Sequence, residues 1–595
     1  MSARARLPVL GARLEDGATR FGLFTTTARS CAVQLYDAAG ERLAAHAMAP
    51  VADGPFDGYF ECVVPGVGRG ARYRFVLDGR ELPDPYARSL PQGVHGPAEV
   101  VALQHRFVHP NVARPLREHV LYELHVGTFT EAGTYAAAMA RLPSLVELGV
   151  SAVELLPLAA FSGRRGWGYD SVALFAPFAP YGTPDELCAF IDAAHGLGLA
   201  VILDVVYNHF GPAGNYLSAY SPQYFTSAIK SAWGDSPDLA HPAMRRLVLD
   251  NALYWLRDLR FDGLRLDATH AIVDPSSTHV LRELAEQAAL LRPHRLLIAE
   301  DERNDPALVT ELGLDAIWAD DFHHAVHTTL TAEQDGYYRA YPPGAQRIAD
   351  AINSGWSYRG EAFPLTNRPR GKPAEALPAE AFVYCLQNHD QIGNRALGER
   401  LHQLVPPEAY ALASALLLLL PMTPLLFMGQ EWAASSRFQY FTDHDAELGR
   451  AVSLGRREEF KHFAAFADPV LRERIPDPQA DETFRSSALR WDERERPPHR
   501  HVLALYTALI RLRREDPVLR TCTRGGLVAQ AHGELLVVRL RCADGERTLL
   551  AHFGAQPLRA LPAELVGAQR VLFRTGPGGD DLRAGLAGYE AALCG

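Results

Sequence analysis

Eight times between residues 120 and 514 a short apolar run is followed by a stretch of helical periodicity, and this alternation limits the fold more than any other feature of the chain. The apolar runs lie at 120–126, 152–156, 200–205, 263–267, 296–300, 316–318, 382–386 and 425–428. The helical stretches lie at 136–148, 184–197, 243–259, 278–291, 307–312, 345–352, 408–420 and 501–514. Several of the runs are almost continuously apolar, as strands covered on both faces require. Eight regular strand–helix units predict an α/β chain built on a closed (β/α)8 TIM barrel; an open doubly wound sheet is the structural alternative.

The chain has 595 residues, past the size at which one core usually divides into several. Short alternating segments at 21–24, 32–36 and 73–77 predict an N-terminal β-sandwich over 1–108. The barrel is expected over 109–516, and apolar runs at 535–540 and 547–553 predict a small C-terminal β domain over 517–595. A net charge of −11 without a long basic run argues against a nucleic-acid partner and for a neutral substrate. Seven scattered cysteines without a CxxC pair suggest reduced thiols in the cytoplasm. The first residues lack a signal-peptide-like apolar stretch, and the longest apolar run, 411–428, is broken by Pro421 and Pro424. That run therefore reads as a buried helix, a turn and a strand, with no membrane partner.

In a barrel of this kind the chemistry stands at the C-terminal ends of the strands. The third strand runs into Asp204, Tyr207, Asn208 and His209, and the fourth ends at Arg265, Asp267 and His270. The fifth ends at Glu300, followed by Asp301 and Glu302; the seventh ends at Gln387, Asn388, His389 and Asp390. Singly, each has a plain reading as a helix cap, a solvated loop residue or a packing group. Four ionisable clusters at one mouth carry a desolvation and repulsion cost for which capping gives no reason. Carboxylates with histidines and an arginine, without a cysteine or lysine nucleophile, suit glycosidic cleavage by one nucleophilic carboxylate and one carboxylic acid. Arg265, two residues before Asp267, lies on the same strand face and can keep it ionised. Glu300 must start protonated, which burial and nearby negative charge favour.

At these residues the sequence resembles the α-amylase family of glycoside hydrolases. DVVYNH (204–209), GLRLDATH (263–270), IAED (298–301) and QNHD (387–390) stand in that family's order. By position, the resemblance implies Asp267 as nucleophile, Glu300 as general acid/base and Asp390 as a third carboxylate that grips sugar hydroxyls. It places Arg265, His209 and His389 around the cleavage subsite, and Tyr169, in GWGYD, as an aromatic platform under the same sugar. Asp204 and His270, from the same motifs, and Gln391, just after the last of them, are further substrate-binding candidates, and the resemblance implies that the N-terminal sandwich is immunoglobulin-like and of the carbohydrate-binding-module type.

The stretches YELHVGTFT (122–130), WADDFHHAVH (318–327), QNHDQIGNRALGER (387–400) and IPDPQADETF (475–484) narrow the resemblance. They are similar to the subgroup that releases trehalose by cutting the α-1,4 bond joining it to a maltodextrin. This implies malto-oligosyl trehalose and related α-glucans as substrates, and a place downstream of a malto-oligosyltrehalose synthase. Asp320, Asp321, His323 and His324 become candidates for recognising the trehalose end; the plain reading of DDFHH is a polar loop after strand six. A glycogen branching enzyme, with the same carboxylates and a glucan acceptor in place of water, is the alternative. Asn208 matches a calcium-ligating position of many α-amylases, but the loop after it lacks the further oxygen ligands of a calcium cage, so no metal and no cofactor is expected. His125 stands alone after the first strand, without the second histidine that a metal-dependent barrel hydrolase would want there.

Overall fold

The computed structural model describes residues 8–51, 57–231, 234–462, 466, 468–562, 570–577 and 582–595. Eight parallel strands close into a barrel: β1 (Leu121–Leu124), β2 (Ala152–Leu155), β3 (Ala200–Val205), β4 (Gly263–Leu266), β5 (Leu296–Glu300), β6 (Ala316–Trp318), β7 (Phe382–Cys385) and β8 (Thr423–Phe427). Each strand pairs with the next, and β8 pairs with β1. Alternate side chains point inward. Leu121, Ala152, Ile202, Ile298, Trp318, Cys385 and Leu425 plug the interior. Further along the same strands the inward positions turn polar: Glu123 stands beside Glu154, and Asp204 beside Arg265. The apolar plug thus carries a charged layer at the mouth.

The long apolar run divides as expected into the helix Pro407–Leu419 and strand β8. Among the described residues no helix is long and apolar enough to cross a membrane. All seven cysteines are free. The stretch expected as one helix over 136–148 is two, Tyr135–Met139 and Leu142–Leu148, with Pro143 in the first turn of the second, where a missing N–H costs nothing. The helix Pro242–Leu253 continues into a π-helical turn, Tyr254–Asp258. The largest difference follows β6. DDFHH opens a helix, Asp320–Thr331, ahead of the expected one at Ala345–Ser354, and a hairpin of Ala362–Phe363 with Arg368–Pro369 follows.

The N-terminal strands pair antiparallel throughout. Gly11–Glu15, Ala18–Phe24 and Tyr59–Pro65 form one sheet, and Cys31–Tyr36, Arg72–Leu77, Arg80–Leu82 and Ala98–Glu99 form another. The strand Arg42–Pro50 pairs with both. Phe21 of the first meets Tyr73 of the second edge-on, with ring centroids 4.9 Å apart. The sandwich abuts the segment after β3: Thr25 Oγ1 donates to the Tyr220 carbonyl at 2.6 Å, and Tyr220 donates to the Pro83 carbonyl at 2.9 Å. At the C-terminus five antiparallel strands form a sheet in the order Leu527–His532, Leu535–Cys542, Gly545–His552, Glu590–Cys594 and Val571–Arg574.

Asp262, just before β4, clamps the floor of the barrel. Its carboxylate accepts from the Asn111 amide at 2.8 Å, the Val112 N–H at 3.1 Å, the Val201 N–H at 2.8 Å and His195 Nε2 at 2.8 Å. Replacing it leaves these buried donors unpaired. Asp262→Ala is expected to cost roughly 2–4 kcal/mol, by analogy with other broken buried polar networks, read as a fall in Tm against wild type. An unchanged Tm would show that the clamp does not contribute.

Candidate active site

Arg265 projects from β4 into the mouth, fully buried, and organises the carboxylates around it. Nη1 donates to both Asp204 oxygens, at 2.9 and 2.8 Å, and to Asp267 Oδ1 at 2.9 Å. Nη2 lies 2.9 Å from Glu300 Oε2. The guanidinium sits over the Trp318 ring, 4.1 Å from its centroid. Three strand ends, β3, β4 and β5, are therefore tied through one cation.

Asp267 and Glu300 share this cation yet are pushed in opposite directions. Burial disfavours ionisation of Asp267, but Arg265 and the Asn208 amide, which donates to Asp267 Oδ2 at 2.8 Å, outweigh it and hold the pKa below the usual carboxylate value. For Glu300 burial dominates; Arg265 opposes it, while Asp267 and Asp390 add to it, so the pKa rises well above the ordinary value. Ala268, in the left-handed region at φ 40°, turns its N–H toward Glu300 and donates to Oε2 at 2.8 Å. That leaves Oε1 as the oxygen to carry the proton. The pair has the division of labour of an ionised nucleophile and a neutral acid.

On the side of β1 to β3, a chain of hydrogen bonds runs to the same centre. His389 Nδ1 lies 2.5 Å from Glu123 Oε1, and its Nε2 lies 2.7 Å from the Tyr169 hydroxyl, which donates to Asp204 Oδ2 at 2.6 Å. The Tyr169 and His389 rings are near parallel, with centroids 5.0 Å apart. Burial lowers the pKa of His389, but Asp390 and Glu123 overcome it and raise the value to about 10, so the imidazolium donates at both nitrogens. Burial pushes Asp204 up to about 6 against the pull of Arg265. His209 pairs through Nδ1 with the Asn208 side-chain oxygen, and its Nε2 lies 2.9 Å from the Tyr169 carbonyl.

Of the residues singled out in the sequence, Asp204, His209, Arg265, Asp267, Glu300, His389 and Tyr169 thus form one connected group, and Asp390 stands beside it, 3.5 Å from His389 Nε2. Others lie apart. His270, on the turn Thr269–Ala271, faces Glu302 at 3.8 Å. Gln391 accepts the Asn388 N–H as part of a capping box. His323 is buried between the Leu386 carbonyl, 2.5 Å from Nδ1, and the Tyr338 hydroxyl, 3.1 Å from Nε2. Asp321 is fully buried, and its oxygens are filled by Tyr341, Asn304, Ser357 and Tyr358. His324 and Asp320, and Gln391 as well, do reach a cleft of about 940 Å³ that borders Asp390. Burial first, then Asp390 and Asp321, raise the Asp320 pKa to about 6.

Sequence reasoning missed Glu123, Trp318, Tyr337 and the hairpin that lines the cleft. The signal for Glu123 was a lone carboxylate inside the apolar run LYEL; the others gave none. Asn208, at the position considered for calcium, has its amide on Asp267 and its oxygen on His209, and among the described residues no group of three His, Cys, Asp or Glu side chains is placed to hold a metal. The residues present therefore do not fit a calcium cage.

The family model for the alpha amylase catalytic domain matches residues 82–230. A malto-oligosyltrehalose trehalohydrolase from Deinococcus radiodurans is 52% identical, over 97% of this chain and 94% of that protein. Another from Saccharolobus solfataricus is 40% identical, over 77% and 80% respectively. A solved Salmonella typhimurium structure assigned as an alpha amylase superposes with a TM-score of 0.89 at 37% identity, covering 99% of both chains.

The charge on His389 predicts a pH signature. Its folded pKa, about 10, lies above the ordinary 6.5, so its stabilisation is complete below pH 6.5 and is lost as the pH rises toward 10. Glu123→Gln removes one of its two partners, so the Tm gap between wild type and variant should be widest just below pH 6.5 and close toward pH 10. A gap independent of pH would mean that His389 is neutral.

Proposed function

Because the chain belongs to the malto-oligosyltrehalose trehalohydrolases, within the α-amylase family of glycoside hydrolases, we propose that it hydrolyses the α-1,4-glucosidic bond next to the trehalose end of malto-oligosyl trehalose, releasing trehalose and a malto-oligosaccharide. The observation that carries the chemistry is the split between Asp267 and Glu300, one held ionised and one held neutral by the same buried surroundings.

Asp267, oriented by Arg265 and Asn208, attacks the anomeric carbon while Glu300 Oε1 gives its proton to the bridging oxygen. Trehalose departs, and a glycosyl ester forms on Asp267. Glu300, now ionised, takes a proton from water, which attacks the same carbon and frees the maltodextrin with net retention. Retention needs the two carboxyl groups close together, and both are in reach of one guanidinium. Tyr169, stacked on His389, is the platform for the sugar being cut, and Asp390 beside it takes that sugar's hydroxyls. His209 and Asp204 act by holding Asn208, Tyr169 and Arg265 in place.

The same reading takes 1–108, 109–516 and 517–595 as the three domains, puts the enzyme in the cytoplasm with its thiols reduced, and places it after a malto-oligosyltrehalose synthase in the making of trehalose. A branching enzyme would share the carboxylates and differ in its acceptor.

Asp267→Asn should abolish turnover with the fold intact, and Glu300→Gln should slow it about 10²–10⁴-fold, the usual worth of general acid–base catalysis. A near-native rate in either would remove that residue's role. Given malto-oligosyl trehalose and a plain malto-oligosaccharide of equal length, the enzyme should release trehalose rapidly from the first and cut the second slowly; branch formation without trehalose would favour the alternative. Exhaustive chelation should leave the rate unchanged, and a loss restored by calcium would overturn the metal-free assignment.

A further inference from the structure

Tyr169 stands on the loop over residues 161–172, between β2 and the strand Ala173–Pro177, and this loop has neither helix nor strand of its own. A loop of that kind places a ring accurately only where its neighbours hold it. From the side of β3 two bonds do so: His209 Nε2 lies 2.9 Å from the Tyr169 carbonyl, and the Gly211 N–H donates to the Ser171 carbonyl at 3.0 Å. The other half of the loop, residues 163–167, is held by residues 437–445, an irregular segment after β8.

The two segments touch along their length. At Gly163 φ is +91°, and a Cβ would come within 2.2 Å of the Asp443 carbonyl oxygen, so no side chain fits there. The Arg164 N–H donates to Asp443 Oδ2 at 2.7 Å, and Arg165 Nη2 lies 3.2 Å from Asp443 Oδ1. Trp167 donates through Nε1 to the Gln439 carbonyl at 2.9 Å and stacks on Phe438, with centroids 5.3 Å apart. The same indole meets the His389 ring edge-on at 5.6 Å. Past Tyr169, Asp170 Oδ2 lies 3.7 Å from His444 Nε2.

Residues 437–445 take their shape in turn from IPDPQADETF (475–484) and the three residues after it. Gln479 accepts the His444 N–H through Oε1 at 3.0 Å and donates through Nε2 to the Thr442 hydroxyl. The Thr442 N–H donates to the Pro478 carbonyl at 2.9 Å, and the Gln439 N–H to Ser487 Oγ at 3.1 Å. Phe484 packs edge-on against Phe441, with centroids 5.1 Å apart. Arg165 closes the circuit: Nη2 donates to the Gln479 carbonyl at 2.6 Å, and Nη1 lies 3.8 Å from Asp481 Oδ1. One guanidinium thus joins the loop of Tyr169 to both segments.

We propose that residues 475–487 set the platform under the sugar being cut, through residues 437–445, and that Arg165 and Gln479 are positioning residues for that platform. The inference rests on the reading of Tyr169 as the platform. Arg165 bonds to Asp443 and the Gln479 carbonyl, and Gln479 to Thr442 and His444, so their effect reaches the reaction through where Tyr169 stands. The sugar there is most distorted in the transition state, so a displaced platform costs rate more than binding.

The test measures kcat and KM for malto-oligosyl trehalose, and Tm, in the full chain carrying Arg165→Ala, Arg165→Lys, Gln479→Ala, Tyr169→Ala or both Arg165→Ala and Tyr169→Ala. Arg165→Ala should lower kcat about tenfold or more and leave KM within about twofold, as loss of an interaction made in the transition state does. Arg165→Lys keeps the charge beside Asp443 but loses the fork, and should recover part of the rate. Gln479→Ala should lower kcat in the same way. In the Tyr169→Ala background Arg165→Ala should cost little more, because the platform that it holds is already gone. Losses that multiply in full in the double variant, a loss confined to KM, or an unchanged kcat in Arg165→Ala would overturn the proposal. If Arg165→Ala does not fold, Gln479→Ala, alone and combined with Tyr169→Ala, decides by the same criteria. If Tyr169→Ala by itself leaves kcat near wild type, the platform reading fails first, and the proposal with it.

Discussion

The buried guanidinium of Arg265 is the constraint on which the site depends. Full burial of an arginine is costly unless its charge is met and its donors are used. Here Asp204, Asp267 and Glu300, from three successive strands, meet it from within about the length of a hydrogen bond. The cation cannot neutralise all three equally. It lies 2.9 Å from both Asp267 and Glu300, but Asp267 also accepts from the Asn208 amide, whereas Glu300 bears burial and the repulsion of Asp267 and Asp390, so the pKa of Asp267 falls and that of Glu300 rises. The opposite shifts of the two carboxyls thus follow from their other neighbours and not from the cation they share.

This arrangement needs a stiff support, which the barrel supplies. The apolar plug from Leu121 to Leu425 lies under the charged layer and excludes water from below. The second cation, His389, is set by Glu123 on β1, so the chain Glu123–His389–Tyr169–Asp204 fixes the side of the mouth opposite Glu300. Glu154 is fully buried in the same layer beside Glu123, and burial first, then Glu123, keeps its carboxyl well above the usual pKa. Its charged form is thus disfavoured there, which leaves Arg265 and His389 to Asp204, Asp267, Glu300 and Asp390. Outside the barrel, the sandwich braces the segment after β3 through Tyr220 and Tyr224, close in sequence to Asn208 and His209.

The segment after β6 has a different logic. DDFHH is not a solvated loop, because Asp321, Phe322, His323 and His324 are all buried as a helix forms. Asp321 and His323 turn to buried partners, while Asp320 and His324 reach the cleft. Helical periodicity separates these neighbours onto different faces, although in the sequence they form one polar block.

The sequence by itself determined the barrel and its mouth. Strands covered on both faces need apolar runs, parallel pairing needs a helix between them, and both requirements are local enough to read along the chain. The eight runs became the eight strands, and Asp267, Glu300 and Asp390 were visible because a carboxylate that ends such a run stands out. Glu123 was nearly as visible but had no partner within reach in the sequence; its meaning came from His389, hundreds of residues away. What only the tertiary structure decided was which polar residues converge and which are consumed in holding others. Asp321 and Asp320 are adjacent and chemically identical, yet one is sealed among five partners and the other opens to the cleft. That difference is set by long-range contacts to Asn304, Tyr341, Ser357, Tyr358 and Arg370, and no local pattern of residues encodes contacts of that kind.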